Sequence, residues 1–147
     1  MPKCSEVMTP DPVFLEATEP IKKAAKIMKQ HDVGAVPVVE SQASKRVTGI
    51  VTDRDLVVKV LAEERDPNQA TVRDAMTASP AACRVDDDVE KAVALMAERQ
   101  VRRMPVVDES GRLRGIIAQA DIATRVNRDK ATGELVEAIS EPGTVRR

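Results

Sequence analysis

The sequence predicts an α/β fold of two tandem β-α-β-β-α repeats related by a pseudo-two-fold axis, and three observations lead there. The chain repeats itself. Met8-Thr9 recurs as Met76-Thr77, and the same offset carries Pro12 to Pro80, Ile21 to Val89, Met28 to Met96, Val33 to Val101 and Pro37-Val38-Val39 to Pro105-Val106-Val107. Each copy holds apolar residues at the i, i+3, i+4, i+7 spacing of one helix face: Ile21, Ala24, Ala25 and Met28 in the first, Val89, Ala92, Val93 and Met96 in the second. Each copy also carries two β-branched runs, Ala35 to Val39 and Val47 to Val51 in the first, separated by a polar turn.

Within a copy the elements follow in order. A short strand is expected around Val13 to Leu15, then Thr18 as helix N-cap with Pro20 in the first turn, where a missing N–H does no harm. Asp86 holds the matching cap position of the second copy. The two β-branched strands come next, and then a helix opened by Thr52. After the second strand the offset falls by two, so that Gly49-Ile50-Val51 matches Gly115-Ile116-Ile117 and Asp55 matches Asp121. The extra residues sit near Ser41 to Arg46, in a turn where an insertion costs little. The repeats are read as 8–64 and 76–126, with 1–7 as a lead-in helix, 65–75 as a linker and 127–147 as a C-terminal tail containing a short helix. A unit of about 55 residues buries too little surface to be comfortable alone, so the copies are expected to pack together.

Composition limits the possible functions. Of 147 residues 42% are hydrophobic, yet no run approaches the roughly 18 apolar residues that a membrane helix needs. The N-terminus shows no apolar signal segment, and a cytoplasmic, soluble protein is expected. A net charge of −1 with both signs interspersed gives no case for nucleic acid or membrane as partner. One Phe and no Trp or Tyr leave almost no platform on which bases stack.

The stretch Gly49 to Leu56 is the richest in chemistry. A buried strand runs into a helix whose first residues, Thr52 and Asp55, have the spacing of a capping box with Asp in place of Glu or Gln. Such a spot gathers free backbone N–H groups, a helix dipole, a hydroxyl and a carboxylate, which suits a phosphate and a ribose. Taken alone, the same residues are better explained by Thr52 capping the helix while Asp55 faces solvent.

The doubled pattern carries a resemblance. Two copies of Met-Thr, a capped Ala-rich helix ending in Met, a Val-x-x-x-Pro-Val-Val strand and a Gly-Ile-Val/Ile strand leading to Asp resemble a pair of CBS domains, the cystathionine beta-synthase repeat also called a Bateman module. The resemblance covers residues 8 to about 126 and is specific because the pattern occurs twice in register. It implies a tandem CBS-domain pair that is regulatory rather than enzymatic, with clefts between the repeats that often bind AMP, ADP, ATP or S-adenosylmethionine. It also implies a homodimer, since some members assemble as disc-like dimers.

Carried over residue by residue, the resemblance implies that Asp55 receives the ribose hydroxyls and Thr52 faces phosphate. Arg102 and Arg103 would supply cations from the other repeat, and Ile50, Ala81, Ala82 and Pro105 would flank adenine. A phosphate met by guanidinium forks and a helix N-terminus is sound chemistry. The two arginines are also accounted for as a solvated pair at a helix–strand junction. The second cleft departs from the pattern: Asp121 and Pro37 are kept, but Ala118 replaces the Thr and Gly34-Ala35 replaces the arginine pair. One competent and one degenerate cleft are expected.

Other candidates are weak. Cys4 matches Val72 and Cys83 matches Leu15, which favours small buried hydrophobes over metal ligands or a redox pair. His31 matches Arg99 at a helix C-terminus, where a cation suits the dipole. Asp86-Asp87-Asp88 reads as a helix start rather than a metal cluster. There is no nucleophile motif or P-loop, so no catalytic residue, metal or cofactor is expected. Two functions stay open: a nucleotide-sensing module acting through assembly or a protein target, and a ligand-independent oligomerisation scaffold.

Overall fold

The short strand β1 (Thr9–Pro10) pairs antiparallel with β8 (Leu113–Ala118), near the other end of the sequence, and this pairing governs how the chain divides. The computed structural model describes residues 2–125. The expected tail helix, with Leu135, Val136 and Ile139, lies outside the described residues. The chain forms two units: a discontinuous one made of the residues up to Asp11 and from Ala81 onward, and an inserted one, Pro12–Pro80.

The inserted unit contains β2 (Leu15–Glu16), α2 (Ile21–His31), β3 (Ala35–Val39), β4 (Val47–Thr52), α3 (Asp53–Asp55), α4 (Val72–Ala75) and β5 (Thr77–Ala78). The turn of α3 runs on as a π-helical stretch, Leu56–Leu61. Its sheet has the order β2-β3-β4-β5, parallel between β2 and β3 and antiparallel elsewhere. The discontinuous unit repeats this plan with α1 (Cys4–Val7), β6 (Cys83–Arg84), α5 (Val89–Arg99), β7 (Arg103–Val107) and α6 (Gln119–Arg125), in the sheet order β1-β8-β7-β6. The register is the same in both: Thr77 faces Ile50 and Ala78 faces Gly49, as Thr9 faces Ile116 and Pro10 faces Gly115. Even the irregularity between Val38 and Val39 recurs between Val106 and Val107. Strands β1 and β5, which the sequence reading placed at the start of the repeats 8–64 and 76–126, therefore each complete the sheet of the other repeat, and α1 and α4 go with them.

The expected helix stripes form the core except at Ala25, which is exposed. Ile21, Ala24 and Met28 of α2 are buried with Leu15, Val36 and Val51, and Val89, Ala92, Val93 and Met96 of α5 are buried with Met104 and Ile117. Each fully buried aliphatic contributes about 1.5–3 kcal/mol relative to exposure. Both helices stop at a residue in the left-handed conformation, Asp32 at φ 53° and Gln100 at φ 53°. Pro37 and Pro105 are tolerated in central strands because β2 and β6 begin pairing only at Val38 and Val106, so no neighbouring strand asks for the missing N–H.

The helix starts correct the sequence reading. The strand lies at Leu15–Glu16 rather than around Val13 to Leu15, and neither Thr18 nor Asp86 is a cap. The N-cap residues are Pro20 and Asp88, without side-chain caps. The first helical amide is satisfied by backbone instead: Ile21 donates to the Ala70 carbonyl at 3.0 Å and Val89 to that of Pro2 at 3.0 Å. Glu19 and Asp87 close the preceding turns by accepting from the Glu16 amide at 2.7 Å and the Arg84 amide at 2.8 Å.

Candidate functional site

Thr52 ends β4 in extended conformation, and its side chain forms the reciprocal pair expected from the sequence. Its hydroxyl accepts from the Asp55 amide at 3.1 Å, and the Asp55 carboxylate accepts from the Thr52 amide at 2.9 Å. One carboxylate oxygen is thus fixed on the backbone. The other lies 3.3 Å from the Lys59 ammonium, which also donates to the Ala75 carbonyl at 3.2 Å. The Asp55 side chain is only 15% exposed, so its orientation is set by these partners rather than by water. The Asp53 amide donates to the Gly34 carbonyl at 2.9 Å and ties the start of α3 to the chain entering β3. Ile50 is half-buried in β4, opposite Pro37 on one side and Thr77 on the other.

The discontinuous unit keeps half of this arrangement. The Ala118 amide donates to the Asp121 carboxylate at 3.1 Å, but Ala118 has no hydroxyl to return the bond. The Gln119 amide donates to the Arg102 carbonyl at 2.9 Å, as Asp53 does to Gly34. Arg102 uses its Nε to donate to Gln119 Oε1 at 2.9 Å, which orients the guanidinium within its own unit. Arg103 opens β7 opposite Ala118, Pro105 is buried opposite Ile116, and Ala81 and Ala82 are half-buried just ahead of β6.

The sequence-predicted residues therefore fall into two sets. Thr52, Asp55, Ile50 and Pro37 belong to the inserted unit; Arg102, Arg103, Ala81, Ala82, Pro105 and Asp121 belong to the discontinuous one. Sequence reasoning missed Lys59 and Gln119. Lys59 was legible, since it stands four residues after Asp55 on one helix face. Gln119 matches Asp53, and only the contact with Arg102 reveals its role.

The remaining candidates divide differently. Asp86 is exposed, Asp87 closes a turn, and Asp88 pairs with Lys3 at 2.9 Å, whose ammonium holds its carboxyl below the usual carboxylate range. His31 is exposed in the last turn of α2. Cys4 and Cys83 are buried free thiols. Among the described residues no group of three or more His, Cys, Asp or Glu is placed to hold a metal ion, and no helix is long and apolar enough to cross a membrane.

The repeat geometry and the motif positions agree with one family model, that of the CBS domain, which matches residues 4–62 and 72–128. The chain belongs to the CBS domain family. It is 35% identical over 140 residues to the CBS domain-containing protein YhcV of Bacillus subtilis, covering 95% of this chain and 96% of that protein. It is 38% identical over 124 residues to hypoxic response protein 1 of Mycobacterium tuberculosis, covering 84% of each. A crystal structure of Hypoxic Response Protein I with two coordinated zinc ions shares 34% identity at a TM-score of 0.76, covering 84% of this chain and 98% of that one. CBSX2 in complex with AMP shares 25% identity at a TM-score of 0.74, over 87% and 98% of the two chains. The CBS domain pair of protein MJ0100, in complex with 5-methylthioadenosine and S-adenosyl-L-methionine, shares 25% at 0.75, over 86% and 97%. The chain is thus a tandem CBS pair, a regulatory module and not an enzyme.

Proposed function

We propose that this CBS pair senses an adenosine-containing ligand of the AMP, ADP, ATP or S-adenosylmethionine class, with Thr52 and Asp55 of one repeat and Arg102 and Arg103 of the other as its ligand-binding residues. The observation that carries the reading is the fixed Asp55 carboxylate at the start of α3, held by the Thr52 amide and flanked by a hydroxyl. A carboxylate accepts both ribose hydroxyls, a guanidinium fork binds phosphate, and Ile50, Ala81, Ala82 and Pro105 offer apolar surface to the base. The bare Ala118 and the Gly34-Ala35 pair support a single working cleft, with Asp121 and Pro37 left in a degenerate one. The complexes of CBSX2 and the MJ0100 pair with adenosine compounds support the ligand class.

The signal passes through self-association or a protein target in the cytoplasm. The exposed apolar side chains Val57, Val58 and Leu61 after α3 support a homodimer, because they follow directly on the ligand-bearing turn. Calorimetric melting of the chain with AMP, ADP, ATP and S-adenosylmethionine in turn tests the sensing function. At about 100 times the dissociation constant a ligand adds roughly 2.7 kcal/mol, which raises the melting temperature by roughly 5–10 °C. No shift with any of them leaves a ligand-independent scaffold and overturns the proposal.

A further inference from the structure

We propose that Cys4 and Cys83 are a redox-active thiol pair which closes to an intrachain disulfide and locks the N-terminal segment onto the discontinuous unit. Cys4 opens α1 and Cys83 opens β6; they are 0% and 3% exposed, and neither is in a disulfide. The two cysteines belong to one buried core cluster, each alters the other's titration, and the Cys4 sulfur lies 3.9 Å from the Asp88 carbonyl oxygen. The backbone beside them is already tied together: the Cys4 amide donates to the Asp87 carbonyl at 2.8 Å and the Ser5 amide to that of Val85 at 3.0 Å. The segments that carry the two cysteines are therefore tied to each other by backbone hydrogen bonds.

The other repeat shows that the fold does not require thiols at these places. Its matching residues are Val72, at the start of α4, and Leu15, at the start of β2, both 0% exposed and in one cluster. Val72 and Arg73 make the same backbone bonds, to Glu19 at 2.9 Å and Ala17 at 2.9 Å. A Val–Leu contact thus does the packing work in the inserted unit. In the discontinuous unit both members of that contact are cysteine, which adds a reaction that packing alone does not call for.

The surroundings distinguish the two thiols. The neighbouring Cys4 thiol, together with burial, pushes the Cys83 thiol up, while the Cys83 thiol beside it brings Cys4 down. Cys4 can then serve as the attacking thiolate and Cys83 as the resolving thiol, and the chemistry balances equally with the roles exchanged. With a peroxide as oxidant, the Cys4 thiolate attacks one oxygen, the O–O bond breaks, and a sulfenic acid and hydroxide result. The Cys83 sulfur then attacks the Cys4 sulfur, expelling the hydroxyl oxygen, which leaves as water with the Cys83 proton. In sum, two thiols lose two electrons and two protons and the peroxide becomes two waters. Because the inserted unit lies wholly between the two cysteines, the bond closes the discontinuous unit covalently around the chain break that the insertion makes. Strand β1, which follows α1, then keeps its place on β8 without relying on packing alone.

Treat the full chain with hydrogen peroxide, unfold it in the presence of an alkylating reagent, and digest it. The expected result is loss of both alkylation adducts, a proteolytic fragment joining Cys4 to Cys83, and a melting temperature several degrees above that of reduced protein, restored by dithiothreitol. The double variant Cys4→Val, Cys83→Leu, copied from the other repeat, is expected to fold and to melt at one temperature with or without oxidant. Thiols that stay alkylatable after peroxide, or that go only to sulfinic acid or to disulfides between chains, overturn the proposal.

Discussion

Thr52 and Asp55 satisfy each other's backbone amides, at 3.1 Å to the hydroxyl and 2.9 Å to the carboxylate, so one carboxylate both starts a helix and presents a fixed acceptor. Asp55→Ala is therefore expected to act twice. Loss of the acceptor weakens AMP binding by about 1.5–3 kcal/mol, the usual worth of a hydrogen bond to a charged group. Loss of half the cap lowers fold stability by about 0.5–2 kcal/mol. Asp121→Ala is expected to have the second effect without the first. Isothermal titration beside urea denaturation separates the two, and equal loss of AMP affinity in both variants would count against a single working cleft.

Ala118 stands where Thr52 stands, with the amide half of the cap already made to Asp121. Ala118→Thr restores the missing acceptor for the first turn of α6. Stability is expected to rise by about 0.5–2 kcal/mol, the gain from placing Thr at a bare N-cap. The denaturation midpoint reads this directly, and an unchanged or lower midpoint would show that the hydroxyl does not reach the Asp121 amide.

The repeat, the helix stripes and the Thr52–Asp55 pair were legible because each is local and periodic in sequence. The strand exchange was not. β1 and β5 are two-residue strands that carry no pattern, and each faces a Gly-Ile pair in either repeat, so the sequence is indifferent to which partner each chooses. The meeting of Cys4 with Cys83 was hidden for the same reason, since Cys4 precedes the first repeat and packs on the second. Thr18 and Asp86 misled because cap propensity was overridden by backbone carbonyls from the lead-in segments, at Ala70 and Pro2. The ion pair of Lys59 with Asp55 lay within reach of helix spacing, whereas the grip of Gln119 on Arg102 depends on tertiary contact between β7 and α6.

Gly49 and Gly115 are required by the exchanged strands. A Cβ at Gly49 would sit 2.9 Å from the Met76 sulfur and 2.9 Å from the Thr77 carbonyl oxygen; at Gly115 it would meet the Met8 sulfur and, at 2.8 Å, the Thr9 carbonyl oxygen. A methionine can turn aside, but the carbonyl belongs to the paired strand and cannot. Gly49→Ala and Gly115→Ala are each expected to cost about 1–3 kcal/mol by overpacking. Equilibrium unfolding tests this, and wild-type stability in either variant would mean that β5 or β1 can lift off without loss.

Acid should destabilise the fold through identified carboxylates. Amides of Arg112 and Ser110 hold Asp108 below the usual range, and Lys3 does the same for Asp88. Burial raises Glu19, but Lys23 and the Glu16 amide outweigh it and leave it lowered. Each group binds its proton more weakly folded than unfolded. Its contribution is complete above the unfolded value and disappears as pH falls through the lower, folded one. The melting temperature is expected to respond little to these groups near neutrality and to fall on acidification through and below the ordinary carboxylate range. Asp108→Asn should flatten part of that acid limb, and an unaltered limb would remove Asp108 from the account.

Leu61 and Val57 are 62% and 55% exposed, one helical turn apart on the stretch that continues α3. Large aliphatic groups so placed favour a partner surface, and the proposed homodimer supplies one in a second copy of the same stretch. Leu61→Glu puts a charge into that contact, where burial without a counter-ion is costly. The fold of each unit should survive, because Leu61 makes little of the core, while the dimer dissociation constant is expected to rise at least about tenfold, or about 1.4 kcal/mol. Light scattering across a dilution series reads the change. A variant that stays as dimeric as the parent protein would assign the contact to another surface, and a parent protein that is monomeric throughout would exclude the dimer altogether.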